Sequence, residues 1–229
     1  MKPFDLSPAQ EGLREIYPPV NVILDAIRSG DKDARYALAR LWLSEGIPYC
    51  FKAQPALYES LRLWLSRRLG VQAKEITLVG SGRQGFSLTP GSDVGRPFGP
   101  HSDLDLAFIS PPLFQTLEAT FKHWEADYVA RTVVPRTEQE KKFWDANLQS
   151  VPLGLARGFI DPYKVPTWDR YPDIQKIQDA MYCASQKLKA TPDAPSVRKV
   201  SARVYSDWDS FVRQMAINLE SLARKPLAE

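Results

Sequence analysis

ITLVGSGRQGFSLTPGSDVGRPFGPHSDLDLAFI, residues 76–109, is the stretch on which the reading of this chain turns. It begins inside a short, β-rich apolar run, Glu75–Val79, that breaks at Gly80-Ser81-Gly82, the pattern of a strand entering a tight turn. Gly82–Ser102 carries several glycines and prolines and reads mostly as loop. Ser102-Asp103-Leu104-Asp105-Leu106 then enters a second strand over Leu104–Ile109, closed by Pro111-Pro112. Carboxylates at i and i+2 of a strand share a face, and the residue between them, Leu104, faces the core. Two like charges that close favour a bound cation. Magnesium takes oxygen ligands and bridges to substrate phosphates. Glycines let a backbone approach a polyphosphate, and turn amides with a serine hydroxyl can cradle it. The stretch therefore predicts a carboxylate pair, Asp103 and Asp105, beside a phosphate cradle at Gly80 and Ser81.

The flanks read as helical. Val20–Arg28 places Val22, Ile23, Ala26 and Ile27 on one face and stops at Gly30. Ala34–Ser44 follows from a start at Asp31 or Asp33, and Pro55 opens a third helix that ends at Gly70. Leu113–Val129 is predicted helix, and Thr137 with Glu140 forms a capping box for another. Leu155–Asp161 reads as a third strand stopped by Pro162, followed by a Pro-punctuated loop over Pro162–Pro172. Two helical blocks close the chain, Asp173–Leu188 and Ser196–Ala223. The second sets Val200, Val204, Trp208, Phe211, Met215 and Leu219 at intervals of three and four, a core or interface stripe. The predicted class is α+β, divided into a helical segment over 1–54, a central unit over 55–172 and a helical segment over 173–229. Thr191–Ser196 is the strongest boundary signal.

Gly80-Ser81 followed by Asp103-x-Asp105 resembles the signature of the polymerase β nucleotidyltransferase superfamily. The turn with Arg83 and Gly85 and the run Ser102–Leu106 are similar to the minimal nucleotidyltransferases of bacteria, antitoxin-type enzymes among them; cGAS-like defence synthases share the core. The resemblance covers about Leu57–Asp161. It implies a mixed sheet flanked by helices and a magnesium-dependent enzyme, with manganese as an alternative ion. The implied reaction moves a nucleotide from a nucleoside triphosphate to a protein, RNA or nucleotide acceptor, in a setting of bacterial defence or a toxin–antitoxin pair. The family adds a third carboxylate from a later strand, and Asp161 is the candidate, as metal ligand or base. The competing reading of Asp161-Pro162 is a plain strand-end turn. Arg83 and Lys187 are candidates to hold the phosphate charge, each weighed against an ordinary surface cation. The gap between Ser81 and Asp103 exceeds the compact family pattern. The extra segment, Thr89–Pro100, reads as a lid, a substrate-reading loop or a passive excursion.

Composition narrows the rest. The chain has 229 residues, 44% hydrophobic and 25% charged, with a net charge of +3 and a pI of about 8.8. That basic bias is too small to argue for nucleic-acid binding alone. Cys50 and Cys183 show no metal spacing and read as reduced thiols. Met1–Leu13 lacks the apolar core of a signal peptide and no stretch approaches a membrane span, so a cytoplasmic location is expected. His101 reads as a turn or solvated histidine, and its spacing from Arg96 matches a ribonuclease motif that Pro97 and Pro100 exclude from a helix. No Ser-His-Asp set, Walker loop or dinucleotide fingerprint is present. Two other functions stay open: a non-catalytic nucleotide-sensing or partner-binding subunit that docks through the C-terminal helix, and a synthase of cyclic oligonucleotides.

Overall fold

Apolar residues at helical spacing, started by Asp or Pro and stopped by Gly, build the N-terminal third. The structure, a computed structural model, describes Leu6 and residues 8–91 and 93–224. The leader reading of Met1–Leu13 lies in part outside the described residues. After a short α1 (Pro8–Glu11), α2 (Val20–Ser29) buries Ile23, Leu24, Ala26 and Ile27. Asp31 accepts a hydrogen bond from Ala34 N at 2.8 Å and so starts α3 (Lys32–Arg40), which ends at Arg40 rather than Ser44. Pro55 opens α4 (Pro55–Leu69), as its fixed φ and missing N–H favour. Then follow β1 (Ile76–Val79), a one-turn α5 (Ser81–Gln84), β2 (Leu104–Ile109), α6 (Pro111–Val129), α7 (Glu138–Leu155), β3 (Phe159–Ile160), α8 (Pro172–Ala190), β4 (Val200–Tyr205) and α9 (Trp208–Arg224). At the start of α7, Thr137 accepts from Glu140 N, as expected, but the Glu140 carboxylate reaches back to Arg136 N instead of completing the box.

The class is α+β. The strands form one mixed sheet in the order β1-β2-β4-β3. β1 pairs antiparallel to β2, with Val79 opposite Asp105. β2 pairs parallel to β4 from Leu104↔Val200 to Ile109↔Tyr205, and β3 runs antiparallel to β4. Alternation sends Leu104, Leu106 and Phe108 of β2, with Val200, Ala202 and Val204 of β4, to one face. That face belongs to a buried cluster shared with α4, α6 and α8, where Trp124, Leu117, Ile174 and Met181 are wholly enclosed. The opposite face carries Ala107, Ile109 and Tyr205, covered by Phe211 and Met215 of α9 and Ala39 of α3. Each large side chain enclosed this way contributes about 1.5–3 kcal/mol of hydrophobic stabilisation.

The C-terminal block differs from its sequence reading. Ser196–Ala223 is not one helix but β4, a break at Ser206-Asp207, and α9. Val200 and Val204 are four apart, a separation that serves one face of a helix and one face of a strand alike. Val200, Ala202 and Val204 alternate with Ser201 and Arg203, and the period of two prevails because β2 offers an open edge. Asp207 then starts α9 by accepting from Ser210 N at 2.6 Å. The third strand is also shorter than Leu155–Asp161: α7 runs through Leu155, and only Phe159–Ile160 pairs.

Arg83 is a framework residue rather than a phosphate ligand. Its side chain is 3% exposed and donates from Nε to Trp42 O at 3.0 Å and from Nη1 to Gly46 O at 2.9 Å. It thereby fixes the loop after α3 against α5, and burial pulls its pKa below the usual arginine range. Arg83→Ala leaves those carbonyls unpaired and opens a void, and is expected to lower unfolding free energy by about 2–4 kcal/mol in denaturant titrations. Arg83→Lys recovers only part, because one ammonium lacks the planar fork. Wild-type stability for Arg83→Ala would refute this framework role.

Candidate active-site cleft

The site lies where the second face of the sheet runs out of apolar cover. α9 and α3 pack on Ala107, Ile109 and Tyr205, and at the margin of that cover Asp105, Ser201 and Arg203, with Ala107 and Tyr205, line a cavity of about 830 Å³. That size falls within the range of small-molecule sites. Gly80, Ser81, Asp103 and Asp161 also line it, as do Arg96, His101, Tyr163, Arg198 and Lys199.

Each functional side chain owes its place to a backbone device. Gly80 ends β1 with φ 69° and ψ −154°, a conformation open essentially to glycine alone. A Cβ there would lie 3.1 Å from Asp105 Oδ2, so the glycine also makes room for that carboxylate. Asp105 is the β2 residue opposite Ser201 in the ladder, and Ser201 Oγ donates to its Oδ1 at 2.6 Å. Asp103 stands just before β2, at the point where the ladder to the other chain segment continues past the strand ends. Leu104 N donates to Lys199 O, and Arg198 N to Ser102 O, each at 2.9 Å. This fixes Arg198 beside Asp103: its Nε and Nη2 each donate to one carboxylate oxygen at 2.8 Å. Lys199 Nζ lies 3.8 Å from Oδ2. With 65% of the Arg198 side chain exposed, the pair is of the solvent-screened kind that contributes little to stability.

Asp161 reaches the same cavity from the end of β3, but its Oδ1 accepts from Tyr163 N at 3.0 Å, capping the turn Pro162–Lys164. The strand-end turn thus exists, and the carboxylate faces the cleft as well. Its charge couples to Arg203 on the neighbouring strand. The expected metal set of Asp103, Asp105 and Asp161 is not brought together: among the described residues, no three His, Cys, Asp or Glu side chains form a group able to hold a metal ion. The pair Asp103–Asp105 alone suits magnesium, which commonly takes one or two carboxylates and completes its shell with water and phosphate oxygens. Lys187 does not join the cleft. It lies on α8 with Nζ 5.5 Å from the Trp64 ring centroid, a surface cation packed over an aromatic face.

Three of the cations that line the cleft, Arg198, Lys199 and Arg203, escape sequence reading because residues 196–223 look helical there. The signal that identifies them is the alternation in Lys199-Val200-Ser201-Ala202-Arg203-Val204. Within the segment Thr89–Pro100, described residues form part of the cleft wall. Ser87 N donates to Arg96 O at 2.9 Å and Gly95 N to Ser87 O at 2.8 Å, and Phe98 N returns to Gly85 O at 2.8 Å. Phe86, with Leu88 and Val94, anchors it in a cluster with Ile23, Leu219 and Leu222, and Thr89, Pro90 and Arg96 face the cavity. The stripe of α9 is spent inside the chain: Phe211, Met215 and Leu219 are buried, so it is no free docking face, while Trp208 is 44% exposed. No helix among the described residues is long and apolar enough to cross a membrane. No protein-family model, curated protein or solved structure matches this chain.

Burial is the largest influence on Asp105 and raises its pKa above the usual carboxylate value. The Ser201 hydrogen bond opposes this, the Asp103 charge adds to it, and Arg203 and Lys199 oppose it. A carboxyl raised on folding binds more protons folded than unfolded between its two pKa values. Its ionised form therefore costs stability, fully above the folded value and not at all below the unfolded one. Asp105→Asn keeps an oxygen for Ser201 and removes the charge. It is expected to melt above wild type near neutral pH, with the gap closing as pH falls through the raised value. Calorimetry across a pH series checks this; a lower melting temperature for Asp105→Asn near neutrality would contradict it.

Proposed function

We propose that the cleft binds a nucleoside triphosphate and transfers its nucleotidyl group to an acceptor hydroxyl. The observation that carries this reading is the half-buried Asp105 beside Asp103 in a cavity whose adjoining strand supplies Arg198, Lys199 and Arg203. Acid on one strand and base on the next match a polyphosphate that arrives with a divalent cation. Magnesium held by Asp103 and Asp105 would neutralise phosphate charge and polarise the reacting phosphoryl group. Ser201 holds Asp105 in one orientation. Lys199 and Arg203 draw the phosphate tail along β4, and the Gly80-Ser81 turn borders it. The acceptor oxygen bonds to the α-phosphorus, the bond from that phosphorus to the bridging oxygen of the β-phosphate breaks, and pyrophosphate leaves with the electron pair. Asp161 Oδ2, not engaged by Tyr163 N, takes the acceptor proton. The unpaired thiols Cys50 and Cys183, the first pushed up to about 12 by burial, suit a reducing compartment such as the cytoplasm.

A second reading is favoured by one observation. The strand alongside β2 presents Ser201 and Arg203 to the cleft rather than a carboxylate, and Asp161 stands one strand further out. A cleft so arranged would bind a nucleotide without turning it over and act as a sensing or partner-binding subunit.

Incubation with each α-labelled triphosphate and magnesium, with and without cell lysate, separates the two. Transfer predicts label on a macromolecule or small product, reduced by about 10²-fold or more in Asp105→Asn. Saturable triphosphate binding with no label under any condition would overturn transfer and support the binding subunit.

A further inference from the structure

The pairing of Arg198 with Asp103 bears on how the cleft loads. Both oxygens of Asp103 are occupied by one guanidinium in a planar, two-bond arrangement, with donor distances of 2.8 Å each. A divalent cation at Asp103 must therefore either displace Arg198 from the two lone pairs it holds or sit against the guanidinium's positive charge, and both oppose binding of the ion alone. The backbone of residues 198 and 199 is clamped to residues 102 and 104, so any departure is a swing of the side chain alone. That side chain is 65% exposed against 19% for Asp103, which gives it free space on the cleft side. The guanidinium fork fits two phosphate oxygens as well as two carboxylate oxygens.

We infer that Arg198 is a charge-exchange residue: it closes on Asp103 in the empty cleft, then yields that carboxylate to a divalent cation and moves to the phosphate tail. This rests on the proposed polyphosphate site and adds an order to its filling. The ion alone must displace an arginine and binds poorly, whereas ion and triphosphate together give that arginine a new anion. The cleft thereby resists metal without nucleotide, and loading by the two becomes cooperative. Lys199, 3.8 Å from Oδ2, lacks the fork and does not take both oxygens.

The test measures binding, not turnover. Manganese binding without nucleotide is followed by electron paramagnetic resonance, and triphosphate binding with and without manganese by calorimetry, for wild type, Arg198→Gln and Arg198→Lys. Arg198→Gln is expected to bind manganese alone about two- to fivefold more tightly, the worth of an exposed pair. It is expected to bind triphosphate in manganese about tenfold more weakly, the loss of a charge-assisted contact. Arg198→Lys falls between on both measures. A merely structural salt bridge would not move the two affinities in opposite directions. Manganese affinity unchanged or weakened in Arg198→Gln, or triphosphate affinity unchanged, overturns the exchange while the polyphosphate site stands. Absence of triphosphate binding by folded wild type under both conditions overturns the site and the exchange together.

Discussion

The parallel ladder between β2 and β4 is the interaction on which the molecule depends. It joins residues about a hundred positions apart in the chain, Asp105 to Ser201 and Ile109 to Tyr205, and every other feature of the cleft follows from its register. Parallel pairing demands a long crossover. Here α6, α7, β3 and α8 make it, and α6 and α8 cover one face of the sheet on the way. A slip of one residue would turn Val200, Ala202 and Val204 out of the main core and bury Ser201 and Arg203 in their place. The core thus enforces the register, and the register sets the site.

The cleft is the part of the sheet that the helices leave uncovered. α9 delivers Phe211 and Met215 over Ala107, Ile109 and Tyr205, and beyond that reach the same face turns polar. Desolvated carboxylates need compensation there. Asp103 finds it in Arg198, and Asp105 in the Ser201 hydroxyl with the fields of Arg203 and Lys199. The compensation is incomplete for Asp105, whose ionised form remains disfavoured by burial. In the proposed site, function and stability pull in opposite directions at that residue, a common condition of binding sites.

The β1-turn-β2 unit was legible in the sequence because its information is local. Glu75–Val79, the glycine break and Asp103-Leu104-Asp105 state strand, turn and strand within one window, and the structure brings Asp103, Asp105, Gly80 and Ser81 to one cavity. The basic wall was not legible. Val200 and Val204 satisfy helix and strand spacing alike, and only the distant β2 edge decides between them. The placement of Arg83 is illegible for a related reason. A basic residue in a glycine turn suggests phosphate, but its destination was set by carbonyls at Trp42 and Gly46, in a loop whose path no local pattern reveals. Lys187 had only its helix position in its favour, and that helix packs on the other face of the sheet, against α4.

The arrangement of charge across strands bears on the proposed metal site. On moving from β2 to β4 to β3, the cleft presents Asp105, then Ser201 and Arg203, then Asp161. The arginine lies between the carboxylate pair and the outer carboxylate, and its field couples to both Asp105 and Asp161. If the cleft takes the polyphosphate proposed above, a cation fixed at that place would lower the need for a second metal ion, since the phosphate charge would meet a guanidinium already there. It also stands between Asp161 and the pair, so this carboxylate is not placed to share an ion with them. In the proposed polyphosphate site, a single ion on Asp103 and Asp105 would leave arginine to supply the remaining positive charge.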